Sequence, residues 1–170
     1  MIYKIKFVLF CLFHKVKLTR GSLGYKSNII KEKGSTLKIG EHFGIGRFCQ
    51  INVRKGAKLV IGKNVGSNAN LFLACREQIT IGDNVSFGPN VVIVDNNHDY
   101  RLFDYQDNYV TKAISIGNNV WIGANVVILA GSIIEDNVTI GAGTVVSGHI
   151  SRDQVVYQKR EYVTKTVMKK

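Results

Sequence analysis

Between residues 116 and 146 an aliphatic residue returns at every sixth position, and this regularity governs the reading of the whole chain. The units are Ile116-Gly-Asn-Asn-Val-Trp, Ile122-Gly-Ala-Asn-Val-Val, Ile128-Leu-Ala-Gly-Ser-Ile, Ile134-Glu-Asp-Asn-Val-Thr and Ile140-Gly-Ala-Gly-Thr-Val, followed by Val146. A helix needs apolar residues every three or four positions, whereas a period of six rich in β-branched residues fits short strands joined by sharp corners. The first residue of each unit points inward, and the Gly, Asn and Asp positions accept corner conformations that bulky side chains resist. Three such edges make one turn of a triangular prism. Stacked turns pair their strands in parallel and align the inward Ile and Val in columns. Each buried aliphatic contributes about 1.5–3 kcal/mol, so the arrangement is stable only when several coils cover one another. The pattern predicts an all-β protein, a parallel β-helix.

Upstream the same period is weaker. It starts at Ile39-Gly40, Ile45-Gly46 and Ile51, is reset near Lys55-Gly56-Ala57, and resumes at Ile61-Gly62. A slip of two residues before Ile81 predicts a bulge or small loop around Cys75-Arg76-Glu77. Ile81, Phe87 and Ile93 then keep time, and the pattern stops until Ile116. The interruption, residues 95–113, is polar and aromatic, with Asn96-Asn97-His98-Asp99-Tyr100, Tyr105 and Tyr109. An insertion in a stacked prism must leave it as an external loop, where function often sits.

Residues 1–18 stand apart. Ile2, Ile5, Leu9, Leu12, Phe13 and Val16 fall on one side of a helix, with Lys4, Lys6, Lys15 and Lys17 near its ends. The apolar run from Phe7 to Phe13 is too short to span a bilayer, and no small-residue cleavage site follows it. Two readings stay open: a helix packed on the first coil or a neighbouring subunit, and a basic interfacial helix resting on an anionic membrane. The chain thus divides into an N-terminal helix and lead-in (1–34), a β-helix (35–150, excursion loop 95–113) and a basic tail (151–170). One domain suits the 170 residues.

The formal charge of +11 asks for an anionic partner, be it membrane, nucleic acid or a phosphate-rich ligand. No aromatic-basic RNA signature or recognition helix accompanies it, so nucleic acid is not expected. Cys11, Cys49 and Cys75 are odd in number and irregularly spaced, as free thiols in a reducing, cytoplasmic setting would be. Of the four histidines, His14, His42 and His149 read as structural or surface residues. His98 differs, because it lies where the repeat breaks, beside Asp95, Asn97 and Asp99, and an imidazole can serve as a base near neutral pH.

Residues 35–150, and Asn-Asn-Val-Trp121-Ile-Gly most specifically, resemble the hexapeptide-repeat acyltransferases, above all the galactoside, maltose and polysaccharide O-acetyltransferases. The general rule for parallel crossovers favours right-handed connections, but the resemblance implies left-handed coils. It also implies acetyl-CoA as acyl donor, no metal, a sugar acceptor (free, nucleotide-linked or lipid-linked) and a homotrimer whose clefts lie between subunits. It places the catalytic base at His98, the oxyanion donor at the Ala124 N–H, the pantetheine flank at Trp121, further cofactor contact at Ala142 and acceptor contact at Asn68. Three departures stand out: Arg76 occupies a position often held by an acid, Ser147-Gly-His-Ile150 replaces Thr-Lys-Asp-Ile, and Tyr157-Gln-Lys-Arg160 replaces Gly-x-Pro-Ala-Lys. Lys159 or Arg160 is left as a candidate for the cofactor phosphates.

The resulting expectation is an acetyl-CoA-dependent sugar O-acetyltransferase of surface-polysaccharide synthesis, cytoplasmic or peripheral to the inner face of the membrane. N-acetylation of an amino sugar or xenobiotic is the alternative within the class. A β-helical carbonic anhydrase needs three histidines around a metal, and the four here are scattered. A purely structural β-helix would not need a long polar loop bearing a histidine.

Overall fold

The computed structural model describes residues 2–16, 20–104, 106–159, 161 and 164–165. Its body is a parallel β-helix of about six turns with one short helix. The three faces are parallel sheets of seven, six and six strands, and a two-stranded antiparallel hairpin stands outside them. The first face runs from Gly21–Leu23 to Val155–Val156, the second from Asn28–Lys31 to Val145–Val146, and the third from Thr36–Ile39 to His149–Ile150. Within each, every strand pairs with the strand one coil away, for example Trp121 with Ser86 on one side and Thr139 on the other.

The hexad explains the core. Ile116, Ile122, Ile128, Ile134 and Ile140 are buried, and so are the fifth-position residues Val120, Val126, Ser132, Val138 and Thr144. The two buried hydroxyls do not go unpaired. Ser132 donates to the carbonyl of Leu129 at 2.7 Å, and Thr144 to that of Gly141 at 2.7 Å.

One corner of the prism is a column of left-handed residues: His42, Asn64, Asn84, Asn119, Asn137 and Asp153, with φ between 53° and 62°. Their side chains form a ladder along the edge, each bonded to the next at 2.8–3.1 Å. Asn suits this role because it tolerates left-handed backbone and carries both donor and acceptor. Successive members are 22, 20, 35, 18 and 16 residues apart, so the ladder stays continuous while coil length varies.

The parallel pairing reaches beyond the sequence bounds 35–150 at both ends. Gly21–Leu23 pairs with Phe43–Ile45, and Val155–Val156 with Thr139–Ile140. Non-hexad spacing hid the first coil, and the short sixteen-residue step hid the last. Of the two readings of the slip at 75–77 the small loop holds and the bulge does not, Arg76 and Glu77 forming a bend. The slip is taken up by the four-residue strands Phe72–Cys75 and Gln78–Ile81 on either side of a tight corner. The helix, Ile2–Phe13, caps the first coil: Phe7 and Cys11 are buried, and the Phe7 ring lies 5.8 Å from that of Phe43. Val16, placed on the outer stripe by helical spacing, is buried, because the helix ends at Phe13 and the chain turns back on itself. Tyr105, Lys17 and Arg160 lie outside the described residues.

Candidate active site

The excursion is a hairpin. Asn96–His98 pairs antiparallel with Tyr109–Thr111, and His98 stands opposite Tyr109. Its neck is closed by the Lys112 N–H donating to the Asp95 carbonyl at 2.9 Å. The Asp95 side chain is fully buried and accepts from the backbone N–H groups of Arg76 and Glu77 at 2.8 and 2.9 Å. Those bonds tie the hairpin to the corner of the coil beneath it, and Asn96 Nδ2 adds a third at 3.1 Å. A buried carboxylate needs such donors, and main-chain N–H groups supply them without competing charge.

His98 is exposed on the hairpin, its ring 4.5 Å from that of Tyr109. On Tyr109 the Arg76 guanidinium stacks as well, 3.4 Å from the ring centroid. A cation over an aromatic face is attracted by the ring quadrupole, so Arg76 and Tyr109 form a support for the imidazole. Asn97 Oδ1 accepts the His98 N–H at 2.9 Å. Asp99 is engaged elsewhere: Arg101 grips its carboxylate with bonds of 2.6 and 2.7 Å and holds it below the usual carboxylate range. His98, Thr111, Lys112 and Ala130 border a cavity of about 370 Å³.

The other expected residues gather at a different corner. Trp121 is 59% exposed on the first face, above the small residues Ser86 and Gly66. It leads into the corner containing Ala124, whose carbonyl accepts from Gly143 at 2.7 Å and whose N–H has no partner among the described residues. Ala142 lies one coil on. A Cβ on Gly88 would come within 2.7 Å of the Ala124 nitrogen, and one on Gly123 within 2.8 Å of the Ala142 nitrogen. Glycine is therefore required beneath each alanine. Asn68 lies on the same corner two coils below Ala124, exposed, its Oδ1 accepting the Ala69 N–H at 2.8 Å.

The structure thus joins Asn68, Trp121, Ala124 and Ala142 along one edge and puts His98 at the next. Six residues separate Ala124 from Ala130, roughly 20 Å at strand rise. The second face lies between them. Its outward column, Phe72, Val92, Val127 and Val145, is in register and apolar. Sequence reasoning found the edges but not Arg76, Tyr109 and Asp95 as a support, because their contacts join separate coils. The aromatic content of the loop was the one available signal.

Cys75 is fully buried. Burial first and the nearby Asp95 second push its thiol up to about 12. Among the described residues no group of three or more His, Cys, Asp and Glu is placed to hold a metal ion. No described helix is long and apolar enough to cross a membrane.

Residues 113–148 match the family model for the bacterial transferase hexapeptide (six repeats). The chain is also 30% identical to a hexapeptide-repeat-containing acetyltransferase from Vibrio cholerae O1 biovar eltor, complexed with acetyl coenzyme A. The match covers 84% of this chain and 68% of that one, with a TM-score of 0.50. The chain belongs to the hexapeptide-repeat acyltransferases. A second structure of this family, a maltose O-acetyltransferase from Clostridium difficile 630, is also 30% identical, with 82% of this chain covered and a TM-score of 0.58. The chain spans 64% of that enzyme's length. A variant of AntD, an N-acyltransferase from Bacillus cereus in complex with dTDP-4-amino-4,6-dideoxyglucose and coenzyme A, is 17% identical and superposes with a TM-score of 0.67. That likeness covers 86% of this chain and 82% of that one, and it bears on the fold alone. No curated protein matches. The coils, as in these acyltransferases, are those of a left-handed β-helix.

Proposed function

We propose that this protein is an acetyl-CoA-dependent O-acetyltransferase acting on a sugar in surface-polysaccharide synthesis, working in the cytoplasm. The observation that carries the reading is His98: an exposed imidazole, propped by Tyr109 and Arg76, on the only hairpin that leaves the coils among the described residues.

His98 takes the proton of the acceptor hydroxyl, whose oxygen attacks the thioester carbon. The Ala124 N–H donates to the oxyanion that develops, a fixed main-chain donor that needs no rearrangement. The C–S bond then breaks, the ester is complete, and the proton leaves with the thiol of coenzyme A. Trp121 flanks the pantetheine arm, Ala142 extends that contact one coil on, and Asn68 meets the acceptor. No covalent enzyme intermediate is required.

Since His98 and Ala124 lie at different corners of one chain, a productive site needs the hairpin of one copy beside the alanine corner of another. The apolar column on the second face supports this: a homotrimer buries Phe72, Val92, Val127 and Val145 between the two edges. Arg76, beside the base, suits an acceptor that differs from a plain neutral galactoside.

A thermal-shift titration with acetyl-CoA tests the reading. A site-specific ligand raises the melting temperature by mass action, and incubation with candidate sugars should release free thiol. Absence of both a shift and thiol release defeats it in favour of a scaffold β-helix.

A further inference from the structure

The N-terminal helix has two apolar stripes where packing uses one. Phe7, Phe10 and Cys11 face the first coil. On the far side, Ile2, Ile5, Leu9, Leu12 and Phe13 are 75, 50, 48, 63 and 81% exposed. Such residues at helical spacing line one side of the cylinder, so the exposure is one continuous stripe rather than scattered single residues. Lys6 lies on one flank of it, its Nζ donating to the Ser27 carbonyl, while Lys4 is exposed in the first turn of the helix and Lys15 just past its last residue.

Charge is segregated along the prism in the same sense. No acidic residue precedes Glu32, whereas seven Lys and Arg do; Glu32 is the one acid of the first coil and is paired with Arg54, and the other Asp and Glu come later in the chain. Near this end Tyr25 and Phe48 also stay half exposed as an edge-on pair, with Lys26 over the Tyr25 ring.

We propose that the outer stripe of this helix is a docking surface for an anionic lipid bilayer, on which the prism stands by its first-coil end. Helix rise makes twelve residues about 18 Å long, against a hydrocarbon core of roughly 30 Å. The helix therefore lies in the interface, with its apolar stripe among the acyl chains and its lysines at the headgroups. Phosphates complement the lysines of this end, as a second copy of the helix would not: helix against helix would set cation against cation, with no carboxylate on either helix. The packing on the first coil and the membrane contact are thus two faces of one element. With coils about 4.8 Å apart, the hairpin coil stands roughly 15–20 Å above this base, within reach of a sugar displayed on a lipid carrier.

Co-sedimentation of the full chain with vesicles tests the proposal without any appeal to catalysis. Wild-type protein should pellet with phosphatidylcholine–phosphatidylglycerol vesicles at low salt and stay in solution with phosphatidylcholine alone. Leu9→Ser/Leu12→Ser should weaken the binding by at least about tenfold, with an unchanged melting temperature because both positions are exposed. Lys4→Gln/Lys15→Gln, which leaves the apolar stripe intact, should cost about fivefold per lysine. Failure of the wild type to bind anionic vesicles overturns the proposal, as does unchanged binding by either double variant. A drop in solution mass in Leu9→Ser/Leu12→Ser without vesicles would assign the stripe to a subunit contact and overturn it equally.

Discussion

At the scale of the residue, His98 and Cys75 make opposite cases. His98 is exposed and stacked on a ring that holds it in place, so His98→Ala should lower kcat by about 10²–10⁴. Acetyl-CoA binding should persist, since the cofactor contacts proposed for Trp121, Ala124 and Ala142 lie at another corner. The wild-type rate should rise with pH through one ionisation, because only the neutral imidazole accepts a proton, and that limb should disappear in the variant. A pH profile shared by both proteins would remove His98 from the chemistry. Cys75 is sealed and protonated. Its thiol sits well above its ordinary value of 9.0, so the folded state holds the proton more tightly than the unfolded chain does. The stability it contributes is complete below about pH 9 and lost as pH climbs towards about 12. Iodoacetamide at pH 8 should therefore spare Cys75 in the native protein and modify it on unfolding, and Cys75→Ser should retain most of its activity. Trapping of an acetylated Cys75 during turnover would contradict direct transfer.

At the scale of the element, the asparagine corner shows how a local preference becomes architecture. Asn84 has φ 57°, receives a bond from Asn64 and donates one to Asn119. Asn84→Ala should cost about 1–2 kcal/mol for the left-handed backbone, measured by urea denaturation, whereas Asn84→Gly, which carries no such strain, should cost less. Equal losses would place the energy in the side-chain ladder instead. These corners were legible in the sequence because period six is a local property: one residue in, one turn residue out. The first coil, from Gly21, was not, since its spacing departs from six until Ile39. The support beneath His98 escaped for a different reason. Arg76 and Tyr109 are brought together by Asp95 binding a corner in the coil below, and no pattern along the chain encodes a contact between coils.

At the scale of the molecule, the proposed site is split over two edges with one apolar face between them, and completing it takes copies of the same chain. Light scattering should give a trimer. Val145→Asp, at a position 45% exposed on that face, should leave a folded monomer, because the change opposes only association. Activity should fall with the trimer, since neither edge contains both His98 and Ala124. A fully active monomer would defeat the shared site.

The closed neck of the hairpin carries a last consequence. The Asp95 carbonyl and the Lys112 N–H meet at 2.9 Å, and the strands on either side, Val92–Val94 and Ile114–Ile116, resume pairing with the coils below as if nothing lay between them. To the scaffold, residues 96–111 are an appendage on a sealed joint. Natural variation or engineering can lengthen, shorten or exchange that appendage, and with it the acceptor specificity proposed for it, while the stack beneath keeps its register.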